Sequence, residues 1–148
     1  MRTAEQVLRF GASGIAYSRE PPAWLPTAIA SSALRVTLEV SAARTQKRRW
    51  ARIFTLSGNS HRSNLSIGQD GSDLIVHVRS PETDLSGKPG HVIDGVFAQP
   101  GWHRIELNVL PRLLTVTVDG REVLRQPLPP EPLSNWSPEY RLAIGNKL

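Results

Sequence analysis

Leu113-Leu114-Thr115-Val116-Thr117-Val118-Asp119-Gly120-Arg121-Glu122-Val123-Leu124 is the stretch that decides the fold. Leu114, Val116 and Val118 alternate with Leu113, Thr115 and Thr117, the two-residue period of a half-buried strand. Asp119-Gly120 follows at once and supplies the positive φ that a type I′ turn requires. Glu122–Leu124 then reads as the returning strand. The stretch predicts an antiparallel hairpin.

The same period runs outward from it in both directions. Leu34, Val36, Leu38 and Val40 alternate with Arg35, Thr37 and Glu39; Leu74, Val76 and Val78 with Ile75, His77 and Arg79. His103, Ile105, Leu107 and Val109 alternate with Trp102, Arg104, Glu106 and Asn108. Parallel strands buried on both faces would show unbroken apolar runs instead, so the pattern is antiparallel with one wet face. Asp70-Gly71 separates Leu65–Gln69 from Asp73–Arg79 as a second hairpin turn, and Leu110-Pro111-Arg112 makes a third short connection. Ala51–Ser57 and Tyr140–Ile144 read as further strands. Helix is expected only as one short turn over Trp24–Ala30, behind Pro21-Pro22. Ser80–Gly90 and the proline-rich Gln126–Pro132 read as long surface loops. Roughly eight to eleven short strands in one unit, residues 1–148, predict an all-β chain: an antiparallel two-sheet β-sandwich or jelly roll.

Composition narrows the chemistry. The 148 residues are 39% hydrophobic and 21% charged, which fits a folded domain and not a disordered tail. The absence of cysteine rules out disulfides, cysteine-ligated metal and a thiol nucleophile. No run of about 18 apolar residues occurs, so no direct membrane insertion is expected. Met1–Phe10 carries Glu5 where a signal peptide needs an apolar core. The two N-x-S matches, at Asn64 and Asn135, are therefore not read as glycosylated.

Catalytic patterns are missing. His61, His77, His91 and His103 lie 12 to 16 residues apart, without the spacing of a zinc motif. No nucleophile elbow, P-loop or dinucleotide fingerprint is present, and Gly11-Ala12-Ser13-Gly14 is only a glycine-flanked turn. Glycoside hydrolysis needs two carboxylates facing one bond, but Glu39, Glu106 and Asp119 stand on different strands, and Asp70 and Asp73 flank a turn. The cluster Lys47-Arg48-Arg49-Trp50-Ala51-Arg52 admits two readings: an anion grip with Trp50 as a stacking platform, or a solvated loop leading into a strand. Without a second basic stripe the loop reading is preferred, and no nucleic-acid partner is expected. Alternation also places His77 and Arg79, then Arg104, Glu106 and Asn108, then Thr115 and Thr117 away from the core. If those strands share a sheet, they form one polar face beside Trp102, suited to saccharide hydroxyls. Trp136 reads either as a stacking ring or as a structural indole closing one end of the sandwich.

Several motifs carry a resemblance. Ala51-Arg52-Ile53-Phe54-Thr55-Leu56-Ser57 looks like an "A-R-I-x-x-L-S" strand, and Asn64–Leu74 resembles an "N-x-x-x-G-Q-x-G-x-x-L" hairpin. Arg79–Asp84 with Gly87 is similar to an "R-x-x-x-T-D-x-x-G" loop; Trp102-His103, Val118-Asp119-Gly120 and Leu142–Asn146 match "W-H", "V-D-G" and "L-x-L-G-N". Over Leu8 to Asn146 the chain resembles the concanavalin A-like, laminin-G-like jelly rolls, closest to the version attached to bacterial VanZ-like membrane proteins.

The resemblance implies a non-catalytic module binding a glycan or cell-envelope polymer, extracytoplasmic or membrane-associated. Within its motifs Arg62, Asn64, Gln69, Arg79, Thr83 and Asp84 crowd one hairpin and its following loop, as a binding site or as a network fixing the loop. Asn108 of the polar face and Trp136 complete the candidate ligand-binding set. No cofactor is expected, and no residue pattern supports a structural calcium. Two rivals stand beside this reading: a protein-interaction domain without a small ligand, and a laminarinase-type hydrolase. Relatives continue past the point matching Leu148 with closing strands, so Tyr140–Ile144 is expected to form an open sheet edge, with a homodimer through it as a consequence. The alternative is that Val7–Tyr17 folds across the gap.

Overall fold

The computed structural model describes residues 16–41 and 50–145. Along the chain lie β1 (Ala16–Tyr17), α1 (Leu25–Ser31), β2 (Leu34–Ser41), β3 (Trp50–Ser57), β4 (Ser63–Asp70), β5 (Asp73–Val78) and β6 (His91–Ile93). A single 3-10 turn (Val96–Ala98) precedes β7 (Trp102–Leu110), β8 (Leu113–Val118), β9 (Arg121–Pro127) and β10 (Arg141–Ile144). Every pairing is antiparallel. One sheet has six strands in the order β1-β10-β3-β4-β5-β6, the other four in the order β2-β7-β8-β9. The expected β-sandwich is what forms.

The core lies between the two sheets because the two-residue period turns one apolar set inward from each. Ile105, Leu107, Val109, Leu114 and Val116 from the smaller sheet join Leu56, Leu65, Ile67, Leu74 and Val76 from the larger in one buried cluster. Leu25 of α1 and the 3-10 turn's Phe97 close onto it. No helix among the described residues is long and apolar enough to cross a membrane.

Four expectations are corrected. The terminal strand β10 is not an edge: it is flanked by β3 and by β1, where Ala16 and Tyr17 pair with Ile144 and Ala143. The premise of a homodimer through that strand is thereby removed, and the N-terminal alternative supplies the pairing (residues 7–15 of that segment lie outside the described residues). The polar face splits in two, because His77 stands on β5 of the six-stranded sheet, with Arg79 just beyond it. Arg104, Glu106, Asn108, Thr115 and Thr117 stand on β7 and β8 of the other sheet. The Asp70-Gly71 turn moves by one residue: Asp70 pairs with Asp73, leaving Gly71 (φ 61) and Ser72 as its centre. Finally, Gln126 and Pro127 extend β9, pairing with Leu114 and Leu113. A proline is tolerated there because β9 is a sheet edge.

Candidate functional site

The site is built on the outer face of the six-stranded sheet, opposite the core. Arg52 and Phe54 would share a face in a regular strand. A bulge between Arg52 and Phe54 breaks the alternation, so Phe54 enters the core while Trp50 and Arg52 point outward. Gly68 stands across from Arg52. Any Cβ there would lie 2.7 Å from Trp50 Cη2 and 2.8 Å from the Ala51 carbonyl oxygen. The indole therefore lies over a glycine, and it stacks on His77 with centroids 5.4 Å apart and planes 26° from parallel. The Arg52 guanidinium carbon sits 5.7 Å from the indole centroid. Ser66, between Thr55 and His77 in the ladders, continues the polar floor.

Two loops wall this floor. Ser63 donates its backbone N–H to Leu85 O at 3.0 Å and its hydroxyl to Ser86 O at 3.3 Å, which pulls the loop after β5 down onto the sheet. Gly87 (φ +83) passes so close to the backbone of residues 77–79 that a Cβ would meet it at 3.0–3.1 Å. Gly90 likewise leaves space that the His77 ring occupies. Ser60 and His61 approach from the other side. The result is a cleft of about 580 Å³ lined by indole, imidazole, guanidinium, ammonium and hydroxyl groups.

Asp84 is the one carboxylate lining it among the described residues, and it is committed to its own loop. Its Oδ1 accepts the Lys88 N–H at 2.9 Å, the Ser86 hydroxyl at 2.7 Å and the Ser86 N–H at 2.8 Å. These bonds, with the Lys88 N–H the largest cause, lower its pKa to about 2. Arg52 is different: burial lowers its pKa, and its Nε is enclosed without a hydrogen-bond partner among the described residues. No group of three or more His, Asp or Glu able to hold a metal ion occurs among the described residues.

Of the eight residues expected to bind ligand, Asp84 alone lines the cleft, joined by His77 of the expected polar face and by Trp50 and Arg52 of the basic cluster. Asn64 is buried and doubly engaged, donating to Ser137 O at 2.9 Å and accepting the Ser137 N–H at 3.0 Å. Trp136 is 4% exposed, and its indole N–H donates to Arg79 O at 2.7 Å, so no ring face is open for stacking. Arg79 returns its N–H to Asn64 O at 2.9 Å. Thr83 accepts the Ser80 N–H through its hydroxyl at 2.9 Å, and its own N–H donates to Ser80 O. Asn64, Arg79, Thr83 and Trp136 thus brace the long loop. Arg62 is exposed, its backbone tied to Asn59 and Gly58. Gln69 donates to Gly71 O at 2.8 Å across its own hairpin. Asn108 accepts Arg35 Nε–H at 2.8 Å on the other sheet.

Trp50 and Arg52, from the basic cluster 47–52, line the cleft, while Lys47–Arg49 lie outside the described residues. What alternation alone could not supply was the bulge, or the glycines at 68 and 90 that leave room for the two rings.

No family model matches the chain and no curated protein matches it. Solved structures do. The crystal structure of a receptor-binding domain superposes with a TM-score of 0.65 over 90% of this chain and 32% of that chain, at 10% identity. The binding domain of botulinum neurotoxin DC, in complex with rat synaptotagmin II, gives 0.61 over 90% and 35% at 11% identity. A botulinum neurotoxin type C structure gives 0.58 over 83% and 30% at 12% identity. The chain spans about a third of the length of these structures, and what it shares with them is the β-sandwich fold.

Proposed function

We propose that the chain is a non-catalytic module that binds a glycan or cell-envelope polymer in the cleft over the six-stranded sheet. The observation that carries this is the lining: an indole, imidazoles and hydroxyls on the floor of a sheet, with Asp84 as the single carboxylate among the described residues. A hydrolase of the two-carboxylate kind needs a second acid about 5 to 9 Å away. The only acid lining the cleft among the described residues is held ionised by its loop, which suits neither general acid nor base work at neutral pH. Planar polar groups beside an aromatic ring, by contrast, match the alternating apolar faces and hydroxyl edges of a sugar. Among the similar structures, the type C toxin's route into cells depends on interaction with two ganglioside molecules, which supports a glycan partner by fold analogy alone. The resemblance to the VanZ-associated jelly rolls points to a ligand at the cell envelope.

The test is a glycan array followed by calorimetry on the best ligand. His77→Ala and Trp50→Ala are expected to lose at least about tenfold in affinity, the scale of one lost ring contact or hydrogen bond. Asn108→Ala, on the other sheet, is expected to bind as the parent does. Loss in Asn108→Ala with retention in the other two would move the site to the four-stranded sheet. Release of reducing ends from any bound glycan would overturn the non-catalytic reading.

A further inference from the structure

We propose that the cleft selects saccharides bearing an oxyanion on the ring (carboxylate, sulfate or phosphate) and that Arg52 is the residue that grips it; this rests on the saccharide reading above. Arg52 takes part in none of the ion pairs among the described residues, although its guanidinium is half-buried and its Nε fully enclosed. By register Asp70 stands diagonally across the ladder on the same face, yet the two form no ion pair, and Asp70 Oδ1 is itself buried without a hydrogen-bond partner. The half-exposed Arg52 side chain lines the cleft with no carboxylate paired to it among the described residues, and a ligand oxyanion would satisfy its charge where a neutral hydroxyl does so less well.

Charge in the cleft points the same way. Among the described residues that line the cleft, Arg52 and Lys88 outnumber the one carboxylate, Asp84, whose Oδ1 already accepts three hydrogen bonds from its own loop; Asp70, on the same face, is not part of the lining. The described lining therefore carries one more positive charge than negative. Position adds direction: the guanidinium lies beside the Trp50 ring, so an anion on Arg52 would hold a sugar ring near the indole. A planar guanidinium also presents two parallel N–H groups, the fork that carboxylate, sulfate and phosphate share.

An array pairing neutral oligosaccharides with their uronic-acid, sulfated and phosphorylated counterparts tests this, with calorimetry on the strongest pair. The charged member is expected to bind at least about tenfold more tightly, the worth of one charge-assisted bond, and the arm that binds identifies which oxyanion is used. Arg52→Gln should erase that preference and Arg52→Lys should retain part of it, having charge but no fork; circular dichroism and the urea midpoint check that each variant folds. Arg35→Gln, which removes the same charge from the other sheet, should leave the preference unchanged. Equal binding of neutral and charged members, unaffected by Arg52→Gln, would overturn the oxyanion inference and leave the saccharide reading standing. Binding of no glycan by the parent protein would overturn both.

Discussion

At the scale of single residues, two positions show how side chains are placed by what their neighbours lack. Gly68 leaves the space that Trp50 fills, and the backbone oxygen of Ala51 is as close to its missing Cβ as the ring is. Rotating the indole away therefore does not relieve Gly68→Ala. The substitution is expected to cost about 1–3 kcal/mol in urea unfolding, typical of overpacking. An unchanged midpoint would mean that the ring does not lie on the glycine. His103 makes a different kind of statement. Its Nε2 faces Gln99 O and its Nδ1 faces Asp119 Oδ2, both at 2.8 Å, and both partners are acceptors. Only the imidazolium donates to both, and these bonds, the Gln99 carbonyl first, raise its pKa above the ordinary 6.5. The stabilisation is thus complete below that value and is lost as pH rises through the raised one. Asp119 is shifted down, chiefly by the Arg104 N–H, so its share is lost only in acid. His91 runs the other way, since burial lowers its pKa and its contribution weakens as pH falls. The difference between parent and His103→Gln isolates the pair: the parent's advantage in Tm should be full below the ordinary value of 6.5 and shrink as pH rises through the raised one. A constant gap across that range would show that His103 is neutral in the folded protein.

At the scale of elements, the three tight hairpins are separate experiments in turn chemistry. The β8–β9 turn has Asp119 at φ 51 and Gly120 at φ 80, the two positive values that a type I′ turn demands. Nothing lies within 4 Å of a Cβ built on Gly120, so Gly120→Val tests the backbone alone. It is expected to cost about 1–3 kcal/mol, because a β-branched residue resists positive φ. The β7–β8 turn centres on Pro111-Arg112, with Arg112 at φ 70 where a type II turn favours glycine. Arg112→Gly should therefore raise stability by about 1 kcal/mol. An unchanged Tm would place Arg112 in another conformation. Asp119-Gly120 was legible because both residues of the dipeptide occupy the turn. Asp70-Gly71 misled by one residue because Asp70 also fits a strand end, and only the Asp70–Asp73 pairing decides where the turn begins.

At the scale of the whole molecule, the order of strands determines which backbone groups face solvent. Among the described residues the six-stranded sheet ends in β1 and in β6, the latter only three residues long. The four-stranded sheet ends in β9, which carries Arg121, Glu122, Arg125 and Pro127, and in the eight-residue β2. Short edges, charges and proline are the usual means of blocking edge-to-edge pairing. Light scattering after size exclusion should therefore report a mass near 16.4 kDa. A dimer that persists on dilution would point to β2, and charge reversal at Arg35 or Glu39 should then dissolve it.

What the sequence determined by itself was the class of structure, because alternation in Leu34–Val40, Leu74–Val78, His103–Val109 and Leu113–Val118 is local chemistry. Each strand carries its own inward set, and the burial of Val36, Val76, Ile105 and Val116 follows from it. The Thr83–Ser80 bonds are local to the loop, but the Asn64 side chain finds its partner at Ser137, 73 residues away. Pairing between distant segments was not legible. That His77 and Arg104 belong to different sheets, that Ala16–Tyr17 covers β10, and that Trp136 folds its indole onto Arg79 are outcomes of tertiary packing. The cleft belongs with them. Trp50, Ser66, His77 and Lys88 meet because β3, β4 and β5 pair in one register and a long loop is pinned across them. Sequence spacing holds no record of such a meeting, because two strands of the same period pack equally well in either sheet until the whole core chooses between them.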